Sequence, residues 1–102
     1  MFYALAKPDR YYYRTVDVGQ TVKFPCETQL PENVNWKRMD VYQYIYRGGT
    51  ITPYTDPRLT VDKNNSYTLT ILNVTAKDST LYGCFEDDGV GNKRYYGLTV
   101  TG

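Results

Sequence analysis

Two cysteines, one tryptophan and a seven-residue run near the C-terminal end constrain this chain more than anything else in it. Cys26 is followed ten residues later by Trp36, and Asp78-Ser79-Thr80-Leu81-Tyr82-Gly83-Cys84 supplies the second cysteine. Each cysteine falls on the apolar phase of an alternating stretch, Val22-Lys23-Phe24-Pro25-Cys26 and Leu81-Tyr82-Gly83-Cys84. Two free thiols are one reading; the shared phase favours a bond. Such a bond closes a loop of roughly sixty residues, worth about 4 kcal/mol in the chain-entropy account, and it needs an oxidising compartment.

The 102 residues suffice for one domain with one core, read as spanning 1–102 with residues 1–10 as a loose N-terminal segment. Helical periodicity is absent. Short alternating runs broken by turn residues predict an all-β sandwich or barrel. The expected strands are Thr21–Cys26, Asn33–Met39, Val41–Tyr46, Arg58–Asp62 and Ser66–Leu72, then a hairpin of Thr80–Asp87 and Lys93–Thr101 around 88–92. Thr50–Pro57 holds two prolines and reads as loop or frayed edge. Val22, Phe24, Val34, Trp36, Val41, Ile45, Leu59, Val61, Leu69 and Ile71 are expected to point inward.

With these residues in order, the chain resembles the immunoglobulin superfamily over roughly residues 14–101. The resemblance implies a two-sheet antiparallel sandwich of Greek-key topology. Cys26 then bridges Cys84 across the sheets, with Trp36 against the bond, Tyr82 in the tyrosine corner, and Leu69 and Ile71 in the core. Arg58 and Asp78 match positions that pair beneath V-set domains, and the distance from Trp36 to Arg58 leaves room for a strand C′; an I-set domain is the alternative. The stretch Tyr95-Tyr96-Gly97-Leu98-Thr99-Val100 lacks the Phe-Gly-x-Gly bulge of rearranging antigen receptors. That points to a non-rearranging V-like domain, with an invertebrate antigen-receptor-like type among the candidates.

Twelve tyrosines against three phenylalanines call for an explanation, because tyrosine suits exposed strands and recognition surfaces alike. With Trp36 and Cys84 inward, Lys37, Met39, Phe85, Asp87 and Tyr95 face outward, and Tyr42, Tyr44 and Tyr46 form a stripe beside them. In the resembled family these strands, G, F, C and C′, form one sheet face that mediates pairing. An aromatic centre rimmed by Lys37, Arg38, Arg47 and Asp87 has the composition of a protein interface, with Tyr44 and Tyr46 as the expected hot spots. The plainer reading is that these tyrosines are ordinary exposed strand residues. Asn64-Asn65-Ser66 and Asn73-Val74-Thr75 are glycosylation sequons in turns away from this face, with Asn64 and Asn73 as acceptors.

Other classes are disfavoured. The chain has no histidine, and bonded cysteines leave no thiolate, so an enzyme is not expected. Asp40, Glu86, Asp87 and Asp88 have neither an inherited cleft nor the spacing of a calcium loop, so no metal and no cofactor are expected. A net charge of +1 with mixed signs gives no case for nucleic acid. No stretch is apolar enough to span a bilayer, and no signal peptide shows at residues 1–6, so Met1 is read as opening a fragment whose parent holds any leader or anchor.

The expected function is an extracellular recognition module, of a cell-surface or secreted receptor, acting in adhesion or immune recognition. Its partner is a protein, a second copy of the chain included. The alternative is an innate-immune domain binding carbohydrate or microbial surfaces near Tyr54, Asp87, Asp88 and Asn92. A spacer within a longer ectodomain is the bland third case.

Overall fold

The computed structural model describes residues 9–28, 33–86, 89 and 91–102. Nine strands are described: β1 Arg10–Asp17, β2 Val22–Phe24, β3 Val34–Arg38, β4 Gln43–Arg47, β5 Thr50–Ile51, β6 Leu59–Asp62, β7 Thr68–Ile71, β8 Leu81–Glu86 and β9 Lys93–Thr101. They form a six-stranded sheet in the order β1-β9-β8-β3-β4-β5 and a three-stranded sheet in the order β2-β7-β6. A 3₁₀ turn, Ala76–Asp78, precedes β8.

The core lies between the sheets. Val22 and Phe24 from β2, Leu69 and Ile71 from β7, Trp36 from β3, and Tyr82 and Cys84 from β8 are all nearly or fully buried. Strict alternation explains the selection: one face of each strand is apolar, and one residue of slip would turn that set to water. Cys26 and Cys84 are bonded, with Cα atoms 6.3 Å apart, which ties the chain just past β2 to β8. Trp36 is fully buried, and its Nε1 donates to the Tyr67 carbonyl at 2.7 Å, so the indole carries no unmet donor into the core.

The closing end of the sandwich is fixed by Asp78. Its carboxylate accepts two hydrogen bonds from Arg58, each at 2.9 Å, and one from the Thr75 N–H at 2.8 Å. The Asp78 carbonyl accepts the Tyr82 hydroxyl at 2.7 Å. Burial alone would raise the Asp78 pKa; the bonds from Arg58 and Thr75, with the fields of Arg58 and Arg38, outweigh it and hold the carboxyl below the usual range.

Three sequence expectations change. The N-terminal strand begins at Arg10, and it pairs parallel to β9, so the larger sheet is mixed rather than antiparallel. A parallel pair needs a long connection, and here nearly the whole chain intervenes. The turn before β4 runs to Tyr42, which takes a left-handed conformation at φ 51°; Val41 is therefore 60 % exposed instead of inward, and β4 starts at Gln43. Tyr46 faces the core, only 5 % exposed. A register shift at Trp36/Lys37 sets Tyr46 opposite Trp36 and Tyr44 opposite Lys37, so Ile45 and Tyr46 both turn inward. Thr50–Pro57, read as loop or frayed edge, opens with the short edge strand β5.

Candidate functional site

The outer face of the six-stranded sheet can be built row by row from the pairing. One row runs Tyr11–Tyr95–Gly83–Lys37–Tyr44 across five strands, β1, β9, β8, β3 and β4. On one side of it lies Lys93–Phe85–Asn35. On the other lies Tyr13–Gly97–Leu81, continued by Met39, whose N–H donates to the Leu81 carbonyl at 2.9 Å.

Two glycines shape this surface. A Cβ on Gly83 would lie 2.7 Å from the Phe85 ring and 3.2 Å from the Met39 sulfur; one on Gly97 would lie 2.7 Å from the Tyr13 ring. The large side chains fold into the gaps that the missing Cβ atoms leave. Tyr95 is held between neighbours, stacked on Tyr11 at 4.7 Å and meeting the edge of Phe85 at 5.7 Å. Burial, together with the charge of Asp9 and the neighbouring Tyr11, raises the Tyr95 pKa, so its hydroxyl stays a neutral donor. At the other side the Lys37 ammonium sits over the rings of Tyr42 and Tyr44, at 5.2 and 5.0 Å, and the Arg47 guanidinium lies 4.4 Å from the Tyr44 centroid. Asn35, Lys37, Tyr44, Phe85, Gly89, Lys93 and Tyr95 line a depression of about 260 Å³.

The structure therefore gathers Lys37, Met39, Tyr44, Phe85 and Tyr95 on one face. Tyr42 sits at its margin, in the turn and 71 % exposed, while Tyr46 is removed to the core. Arg38 leaves the rim. It follows Lys37, so it turns toward the Trp36 side, where it pairs with Asp40 at 2.8 Å and donates to the Lys77 carbonyl. Asp87 and Asp88 lie outside the described residues. Of the residues named for a carbohydrate, the two described ones lie apart: Tyr54 lines a recess with Arg58 and Asp78, whereas the Asn92 carbonyl accepts from Glu86 N–H at the opposite end of β8.

Tyr11, Tyr13 and Asn35 escaped the sequence reading. The signal for the first two was present in Arg10-Tyr11-Tyr12-Tyr13-Arg14-Thr15-Val16, an aromatic and β-branched run that reads as a strand although the expected strands began only at Thr21. Asn35 is buried by its neighbours on the face, which no local pattern announces.

The opposite sheet has another character. Its outward row is Lys23–Thr70–Thr60, small and polar. Asn64 and Asn73 are both exposed, in the turn between β6 and β7 and just past β7.

Two packed sheets, an intersheet disulfide beside a buried tryptophan, and a tyrosine bonded to the corner backbone define an immunoglobulin β-sandwich. No family model matches the chain, and no curated protein matches it either. Solved structures do. A chain in the crystal structure of Dpr1 IG1 bound to DIP-eta IG1 is 26 % identical with a TM-score of 0.76, covering 89 % of this chain and 90 % of that one. A chain in the Dpr11 IG1 complex with DIP-gamma is 22 % identical, with a TM-score of 0.74 and coverage of 87 % and 97 %. A chain of the ZIG-8–RIG-5 IG1–IG1 heterodimer is 19 % identical, with a TM-score of 0.71 and coverage of 100 % and 90 %.

Proposed function

We propose that this chain is a V-type immunoglobulin domain, of non-rearranging type, that recognises a protein partner outside the cell through the outer face of its six-stranded sheet. The observation that carries the reading is the aromatic row from Tyr11 to Tyr44, with Phe85 packed beside it and Met39 across Gly83. Aromatic anchors, partly ordered before contact, lose little rotamer entropy on binding. The opposite face, threonine-rich and flanked by two sequons, has nothing comparable; Asn64 and Asn73 would carry glycans there without obstructing the contact.

The subtype rests on β5, a sixth strand beyond β4 at the place of C″, and on the Arg58–Asp78 pair. The extracellular setting rests on the Cys26–Cys84 bond, which persists in oxidising compartments. The partner class draws on the neighbours, which were solved in complexes of one immunoglobulin domain with another.

The test is a binding survey of the purified domain against displayed immunoglobulin-type ectodomains, with sedimentation over a concentration range to register self-association. Phe85→Ala and Tyr44→Ala should each weaken whatever binding is found by about tenfold or more, while Lys23→Ala and Thr60→Ala on the opposite sheet leave it intact. Loss of binding on the opposite sheet alone would refute the face assignment. Competition by free sugars would move the reading to carbohydrate recognition.

A further inference from the structure

We infer that the depression beside Tyr95 receives a carboxylate side chain, so that the partner is a different protein presenting an acidic residue at the centre of contact. This rests on reading the outer face as a protein interface and adds the chemistry of what enters it. At about 260 Å³ the depression is below the range of roughly 300–1,000 Å³ typical of small-molecule sites, and it suits one or two side chains.

It is lined by the aromatic residues Tyr44, Phe85 and Tyr95 and by two lysines, Lys37 and Lys93. Arg47 adds a third cation against Tyr44. Among the described residues the ion pairs all lie elsewhere: Arg38 with Asp40, and Arg58 with Asp56 and Asp78. Asp9 is the described carboxylate whose charge reaches Tyr95, and it forms no ion pair with either lysine.

A docking partner must cover Lys37 and Lys93 to reach the rings. An apolar occupant would strip water from both ammoniums and return nothing for it, whereas a carboxylate restores charge-assisted hydrogen bonds in the same space. A second copy fails on the same ground. Twofold pairing centred on the depression sets the patch against itself, so the cluster of Lys37, Arg47 and Lys93 would meet the same positive cluster of the second copy.

The test uses two probes of equal shape, phenylacetate and phenylacetamide, titrated at millimolar concentration into the isotopically labelled chain and followed by NMR. Phenylacetate should give saturable shifts centred on Lys37, Phe85, Lys93 and Tyr95, with the amide at least about tenfold weaker. The paired variant Lys37→Gln/Lys93→Gln should abolish that preference while keeping the wild-type fold; should it fail to fold, added salt, which selectively weakens the carboxylate, serves instead. Equal binding of the two probes, shifts centred elsewhere, no saturable binding, or concentration-dependent dimerisation blocked by Phe85→Ala would overturn the inference. A protein partner that maps to this face while the probes bind equally would overturn this inference alone. A partner that maps to the opposite sheet would take the proposed function with it.

Discussion

Asp78→Ala is expected to cost more stability than any other single charge removal in the described structure. The side chain is 3 % exposed, and it accepts hydrogen bonds from both Nη atoms of Arg58 and from the Thr75 N–H. Truncation strands that N–H and leaves the Arg58 guanidinium, itself 28 % exposed, with Asp56 and two carbonyls as acceptors. Breaking a buried pair costs about 3–5 kcal/mol and an exposed one about 0–1, so a buried carboxylate against a partly wet guanidinium should lose about 2–4 kcal/mol. In a domain of this size that lowers the melting temperature by roughly 10–25 °C.

Urea denaturation at neutral pH reads the effect as a fall in midpoint with unchanged slope. Arg58→Ala and the double variant complete a cycle with a coupling of about 1.5–3 kcal/mol. The pH dependence gives an independent arm. The folded pKa of Asp78 is lowered, so its stabilisation is present above the unfolded aspartate value of about 3.9 and is lost as pH falls through the lower folded value. Asp78→Asn should therefore converge on the wild type at strongly acidic pH. A cost below about 0.5 kcal/mol, or additivity of the two single variants, would refute the account.

Tyr46→Ala should destabilise by about 3–5 kcal/mol, while Tyr44→Ala stays within about 1, because the register shift buries the first ring and leaves the second half-exposed; equilibrium unfolding ranks them, and the reverse order would misplace the shift. Gly83→Ala should dislodge Phe85 and Met39, lowering partner binding more than it lowers the melting temperature, whereas Gly97→Ala clashes with Tyr13, which is 78 % exposed and free to swing away, and makes only an ordinary contact with Leu81. Calorimetry beside a binding assay separates the two effects. At alkaline pH, burial raises the folded pKa of Tyr46, Tyr82, Tyr95 and Tyr96. The stability they protect is whole below the unfolded tyrosine value of about 10 and declines as pH rises beyond it, so ultraviolet titration should show a late tyrosinate phase coincident with unfolding.

The framework was readable because each of its residues is fixed by a local rule. Cys26, Trp36, Tyr82 and Cys84 sit on the inward phase of their strands, and a two-residue period carries that phase along the chain without knowledge of the partner strand. The errors arose where the period is interrupted. The left-handed turn at Tyr42 and the register shift at Trp36/Lys37 each move the phase by one, and together they invert Val41 and Tyr46. Neither position announces itself, since tyrosine is an unusual choice at positive φ and no glycine marks the turn.

The site was half readable for a related reason. Alternation tells which way Lys37, Phe85 and Tyr95 point, but not which strand lies beside which. The row from Tyr11 to Tyr44 exists only because β1 returns to the edge of the sheet and pairs with β9, a contact between the two ends of the described chain. That pairing turns an N-terminal run of tyrosines into the flank of a continuous surface, and it stacks Tyr11 on Tyr95. A removable edge strand therefore has a consequence at a distance: deleting residues 1–13 should expose the buried side of Tyr95 and weaken binding at the face, while the bridged core between Cys26 and Cys84 still folds. If binding and stability fell together in equal measure, β1 would be part of the scaffold alone.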